Sequence, residues 1–209
     1  MSEFDYEKDG LAIYRGLIPA EAVDRYIDFL DDQFFSKGKR AKDDEYLRHE
    51  PVRDFLCHPA VEEKRRELGI VGGIHANLLN WIYEHVGWHS DRTDGMTRRF
   101  GIFYALDFMP AESGRFEIYP GSHKWGLDLV KCTVLPRAGT GNYLMDILSE
   151  VEEPPYSFDG GKGDVLFWRS ECIHRRAEKQ GDVLRKSAVV LCADDNQIQH
   201  KDGFWYCPF

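Results

Sequence analysis

A histidine and an aspartate one residue apart, in Trp88-His89-Ser90-Asp91, are the side chains of this sequence best placed to do chemistry. They follow an apolar run, Ala76-Asn77-Leu78-Leu79-Asn80-Trp81-Ile82-Tyr83, that reads as a buried strand. In extended backbone, residues two apart face the same side, so His89 and Asp91 project together and Ser90 projects away. An imidazole nitrogen and a carboxylate oxygen on one face make half of a metal site. A second imidazole would complete the facial triad of two histidines and one carboxylate, which holds non-haem Fe(II) and leaves three positions open. Taken alone, the pair also fits a surface salt link or a hydrogen-bonded turn.

Eight histidines could supply the third ligand. His174 is the best placed, because it follows Gly163-Asp164-Val165-Leu166-Phe167-Trp168, a turn and then a strand. A jelly roll returns a late strand beside an early one, so the long separation from Asp91 is compatible with contact. Arg185 then opens another apolar strand, Ser187-Ala188-Val189-Val190-Leu191, from which a guanidinium could grip a dicarboxylate bidentately. His123 sits in a Pro-Gly-Ser-His context that suits a tight loop, and Cys172 reads as packing.

The elements that must carry these residues fall into two kinds. Residues 10–18 read as a short strand entering a turn, and Pro19 opens a helix in which Val23, Tyr26, Ile27 and Leu30 recur at helical spacing. Val61 to Leu68 reads as a second helix ended by Gly69. Residues 36–50 are highly charged and include Gly38, and they read as a mobile loop or a poorly ordered helix. From about residue 70, apolar runs alternate with Gly, Pro and Asn punctuation at 74–83, 98–108, 115–119, 127–134, 164–168 and 183–192, a pattern of sandwich or barrel strands. The stretch 136–162, rich in Gly and Pro, is the longest non-strand candidate and could serve as a lid, as could the aromatic tail Phe204-Trp205-Tyr206.

Composition bounds the partners. The 209 residues, 43% apolar and 30% charged, are enough for one globular domain. A net charge of −9 argues against nucleic acid phosphates and anionic membranes as partners. Five cysteines without a Cys-x-x-Cys pair predict reduced thiols, and the start Met1-Ser2-Glu3-Phe4 lacks the pattern of a signal peptide, so a cytoplasmic location is expected.

Four stretches in order carry a family resemblance: Lys8-Asp9-Gly10-Leu11 through Val23, Trp88-His89-Ser90-Asp91, Ser113-Gly114-Arg115-Phe116-Glu117-Ile118-Tyr119-Pro120-Gly121-Ser122-His123-Lys124, and Gly163-Asp164 through His174 to Arg185. Together they resemble the phytanoyl-CoA dioxygenase-like family of Fe(II)- and 2-oxoglutarate-dependent oxygenases. The resemblance implies a mainly β fold, a double-stranded β-helix (jelly-roll, cupin-like) core with flanking α-helices. The expected organisation is one domain over 1–209, mostly helical to residue 70 with the core in 71–209. It implies His89, Asp91 and His174 as catalytic iron ligands and Arg185 on the distal carboxylate of 2-oxoglutarate. O₂ would then be consumed with release of succinate and CO₂ as a substrate C–H bond is oxidised. Asn80 lies roughly where some relatives place an amide that contacts the co-substrate, although a buried Asn satisfied by backbone fits as well. Position 176 is Arg where a small hydroxyl residue often stands, and the chain is short for a capping subdomain. The carboxylate of Asp91 favours hydroxylation over halogenation, because related halogenases vacate that position for chloride.

The substrate side is open. Arg98 and Arg99 face opposite sides in a strand, so one of them is a candidate anion anchor unless the pair is a solvated surface feature. Tyr83, Tyr104 and Arg176 are further candidates, and the arginines favour a small, polar or anionic metabolite. Two competing accounts are a non-catalytic small-molecule binding module, which predicts broken ligands, and a cupin-type metalloenzyme that does not use 2-oxoglutarate, for which Arg185 has no purpose.

Overall fold

Three adjacent strands explain the layering. The structure, a computed structural model, describes residues 2–35, 49–70, 73–80, 86–90, 99–125, 130–133, 143–147, 153–183 and 185–193. Strands β4 (Arg99–Ala105), β9 (Val165–Arg169) and β11 (Ser187–Ala193) pair antiparallel and are apolar on both faces. Such strands must be covered twice. Phe100, Ile102, Tyr104, Val165, Phe167, Ala188, Val190 and Cys192 enter one core with Val23, Tyr26, Leu30, Phe55 and Val61 of the helices. Phe103, Ala105, Leu166, Trp168 and Val189 enter a second core with Leu11, Ile13, Phe116, Ile118 and Phe158. The period of two along each strand thus sorts residues to a helical layer outside or an interior between sheets.

Among the described residues there are two antiparallel sheets. The five-stranded one runs β1 (Leu11–Tyr14), β9, β4, β11, β2 (Gly73–Asn80). The six-stranded one runs β6 (Val130–Thr133), β7 (Tyr143–Ile147), β3 (Val86–Ser90), β10 (His174–Arg176), β5 (Phe116–Ile118), β8 (Tyr156–Ser157). The fold class is therefore the expected mainly β jelly roll. Helices α1 (Tyr6–Asp9), α2 (Ala20–Leu30), α3 (Glu50–Leu56) and α4 (Pro59–Glu67) all precede β2. Tyr26 of α2 stacks on Phe55 of α3 with ring centroids 3.9 Å apart. Among the described residues no helix is long and apolar enough to cross a membrane.

Two expectations need correction. The stretch 136–162 is not one long loop, because β7 and β8 lie within it, each held by ladder pairing that its Gly- and Pro-rich surroundings disguise. Of the charged stretch 36–50, Glu50 opens α3, in which Pro51 occupies the first turn and Val52, Phe55 and Leu56 bury one face. Cys57 is disulfide-bonded, against the expectation of reduced thiols, since a single long-range bridge leaves no spacing signature; Cys172 and Cys192 are free and buried. Residues 36–48 and the tail Phe204-Trp205-Tyr206 lie outside the described residues.

Candidate active site

His89 is the last residue but one of β3 and His174 the first of β10, and the two are direct partners in the antiparallel ladder. Their imidazole centroids lie 4.3 Å apart, and both side chains are buried. Each ring is tied to its own backbone: His89 Nδ1 lies 2.8 Å from Gly87 O, and His174 Nδ1 lies 2.9 Å from Cys172 O. A carbonyl oxygen can only accept, so each Nδ1 carries a hydrogen, which in a neutral ring leaves the lone pair to Nε2. That is the tautomer a metal-ligating histidine uses, with its second nitrogen fixed by a backbone carbonyl. Phe116 and Trp168 pack against His174 at 5.3 and 5.6 Å between ring centroids, so the pair borders an apolar interior.

The Pro-Gly-Ser-His segment is a splint for His174. Ser122 Oγ accepts from Ile173 N at 2.8 Å and donates to Tyr119 O at 2.6 Å, while Tyr119 N donates to Ile173 O. Ser90 Oγ donates to Ser170 O and fastens the end of β3 to the turn before His174. On the opposite face of the same strands Arg175 sits 4.4 Å over the Trp88 ring and pairs with Glu117 at 2.6 Å. Cys172 Sγ lies 3.5 Å from Gly10 O, and burial pushes its thiol up to about 12, so it is inert packing as expected.

Arg185 provides the second feature. Its side chain is buried at 6% exposure, its Nη1 donates to Gly114 O, and its Nε has no hydrogen-bond partner. Among the described residues no carboxylate pairs with it. Burial, and then the like charge of Arg176, pull its pKa down to about 9. An unpaired buried cation costs several kcal/mol, a state that an incoming anion relieves. Gly114 can approach because it has no side chain: its φ is +71°, and a Cβ would lie 2.6 Å from Ala177 O.

A family model decides the affiliation. The one that matches is described as phytanoyl-CoA dioxygenase (PhyH) and covers residues 6–187. The chain belongs to the phytanoyl-CoA dioxygenase family. Enzymes of this family are Fe(II)- and 2-oxoglutarate-dependent oxygenases that consume O₂, and the chain is one of them. No curated protein matches it. Its fold is shared by the epimerase SnoN in complex with Fe3+, alpha-ketoglutarate and nogalamycin RO, at 17% identity and a TM-score of 0.68, over 96% of this chain and 91% of that one. The carbocyclase SnoK from nogalamycin biosynthesis matches at 17% identity and a TM-score of 0.70, over 90% and 81%. AviO1 from Streptomyces viridochromogenes Tue57 matches at 19% identity and a TM-score of 0.64, over 91% and 92%.

The other candidate residues separate within this family frame. Asn80 stands directly across from Ser187 in the β2–β11 register, at the strand end where Arg185 lies. Arg99 pairs with Ala193 at the opposite end of β4 from Ala105, which pairs with Ser187. Arg176 follows His174 in β10, half-buried, with its charge felt at Arg185. Tyr104 is corrected: it faces the helical layer, fully buried, and its hydroxyl donates to Leu56 O at 2.6 Å, so the sheet separates it from the site. Asp91, Tyr83 and Arg98 lie outside the described residues, and among the described residues no three His, Cys, Asp or Glu side chains form a metal cluster. Two residues went unnoticed in the sequence. Ser187 Oγ and Trp168 Nε1 are both buried without a hydrogen-bond partner. Ser187 had one readable signal, its place two residues after Arg185.

Proposed function

We propose that the chain oxidises, by hydroxylation, a C–H bond of a small-molecule metabolite while converting 2-oxoglutarate and O₂ to succinate and CO₂. The observation that carries this reading is the His89–His174 ladder pair, with both Nδ1 atoms committed to backbone carbonyls and both rings turned to the barrel interior. With Asp91, of the His-x-Asp motif, these residues would hold Fe(II). Bound iron supplies the oxidising chemistry; the protein supplies orientation and a dry pocket. His89 and His174 fix the direction of the two imidazole ligands. Phe116 and Trp168 keep water from the His174 side. Arg185 fixes the far end of the oxoacid and sets which way it enters.

Arg185 also separates this reading from a cupin-type metalloenzyme that does not use 2-oxoglutarate. Such an enzyme has no use for a buried guanidinium that finds no carboxylate among the described residues. The neighbours that share the fold include an epimerase and a carbocyclase, so the outcome at the substrate carbon rests on the pocket and on Asp91 rather than on the fold. The test is turnover of the Fe(II)-loaded chain over a panel of small metabolites, read by mass spectrometry. A product heavier by one oxygen atom, formed with succinate in equal amount, is the expected result. Loss of two hydrogens with no oxygen gained would replace hydroxylation by desaturation or ring closure.

A further inference from the structure

We propose that the indole N–H of Trp168 donates a hydrogen bond to the substrate, and that the substrate carries a neutral oxygen acceptor, such as a carbonyl or an ether, close to the carbon that is oxidised. The assignment rests on the function proposed above, because it needs a substrate seated beside His174. Trp168 is 1% exposed, and its Nε1 has no hydrogen-bond partner. A buried indole N–H as a rule finds an acceptor, and leaving one unsatisfied costs about 1–3 kcal/mol. Trp168 faces the interior core, with its ring centroid 5.6 Å from that of His174 and 5.0 Å from that of Phe116. It pairs with Gly101 in the β4–β9 ladder, and the missing side chain there lets the ring lie over β4: a Cβ on Gly101 would overlap Cε2, Cζ2 and Cη2. Nε1 is bonded to Cε2, so the N–H lies at this edge of the ring, between the sheets.

An indole only donates, so its partner must be an acceptor. The partner is also neutral. Arg169, the next residue, is turned away from the interior, 5.1 Å over the Tyr6 ring, so among the described residues no cation stands beside the N–H. A carboxylate there would have a single uncharged donor and would be drawn off to the metal beside His174, whereas a ketone, ester or ether oxygen needs only the one hydrogen bond. The distal carboxylate of the co-substrate is out of reach, because on the proposed reading it lies with Arg185 near Ser187, which is level with Ala105. Ala105 stands four residues along β4 from Gly101, about 13 Å. A trapped water is a poor occupant too, since Phe116 and Gly101 offer it no second hydrogen bond. A substrate oxygen fixed at Nε1 sets which C–H faces the metal, so Trp168 is a specificity-determining residue.

The experiment follows the indole N–H signals of the five tryptophans by nuclear magnetic resonance in the isotope-labelled full chain. The chain is loaded with 2-oxoglutarate and with Zn(II), which does not react with O₂. The signal missing from Trp168→Phe belongs to Trp168. A chain with 3-benzothienylalanine at position 168, which keeps the bicyclic shape and has sulfur in place of N–H, gives the same assignment if Trp168→Phe fails to fold. The probes are cyclohexanone and methylenecyclohexane, which differ only in an oxygen against a CH₂ group. Cyclohexanone is expected to move the Trp168 signal saturably, and methylenecyclohexane to move it far less. The benzothienyl chain should bind cyclohexanone about two- to tenfold more weakly, the loss of one neutral hydrogen bond, with methylenecyclohexane unaffected. Equal movement by both probes, or movement by neither, overturns the assignment. Movement by 2-oxoglutarate alone, with nothing added by cyclohexanone, gives the N–H to the co-substrate and overturns it as well. Succinate is measured in parallel from the Fe(II)-loaded chain. If succinate forms while the probes fail, this inference alone falls; if none forms with any metabolite of the panel, the proposed function falls and takes this inference with it.

Discussion

Two imidazoles face one another across a strand pair, each with one nitrogen held by its own backbone, and on the proposed reading both are iron ligands. His89→Ala or His174→Ala should lower Fe(II) affinity by more than about a hundredfold, beyond the range for loss of a supporting hydrogen bond, with circular dichroism unchanged. Arg185 makes an opposite pair of predictions. Truncating one member of a buried charge pair costs about 2–5 kcal/mol of binding, so Arg185→Met should lose oxoacid affinity to that extent in a calorimetric titration. The ligand-free chain should instead gain about 1–4 kcal/mol in denaturant unfolding, because an uncompensated buried charge has been replaced by an apolar side chain of similar volume. The histidines and Arg185 were legible because residue type and order encode them. Ser187 and Trp168 were not, because an orphaned hydroxyl or indole N–H arises from packing and carries no motif.

At the scale of elements, face assignment decides what a residue can do. Tyr104 lies in a strand beside the site, yet the period of two turns it to the helical layer. Tyr104→Phe should therefore leave turnover unchanged while lowering unfolding stability by about 1–3 kcal/mol, the effect of leaving Leu56 O unpaired in the core. Gly101 shows the inverse case: a Cβ there would overlap the six-membered ring of Trp168. Gly101→Ala should cost about 1–3 kcal/mol through overpacking and also disturb turnover, because Trp168 packs on His174. Strands β4, β9 and β11 were readable as long apolar runs, since both of their faces are covered. Tyr143–Ile147 escaped because its neighbours are Gly, Thr and Asn and one of its two pairing partners, β3, is remote in sequence. Glu50–Leu56 escaped because a charged approach concealed its three buried apolar residues.

Over the whole molecule, helices cover one face of the five-stranded sheet, and the other face closes with the second sheet over an interior that holds His174, Trp168 and Ser187. A binding site inside the barrel couples ligand to fold. With Fe(II) present, 2-oxoglutarate at 100 times its dissociation constant should add about 2.7 kcal/mol of stability, and roughly 5–10 °C to the unfolding midpoint. At the same 2-oxoglutarate concentration Arg185→Met should cut that stabilisation to below about 1 kcal/mol. The general architecture could be anticipated from the order of helical and strand patterns, but the disulfide at Cys57 could not, because a lone bridge has no local pattern. One measurement bears on the central claim most directly: anaerobic chain loaded with one Fe(II) and given 2-oxoglutarate, then exposed to O₂, with succinate quantified beside the His89→Ala and His174→Ala variants. The account predicts succinate from the unaltered chain, slow without a substrate and faster with one, and none above background from either variant. Succinate at equal rates from all three proteins, or from none under any substrate tried, would contradict it.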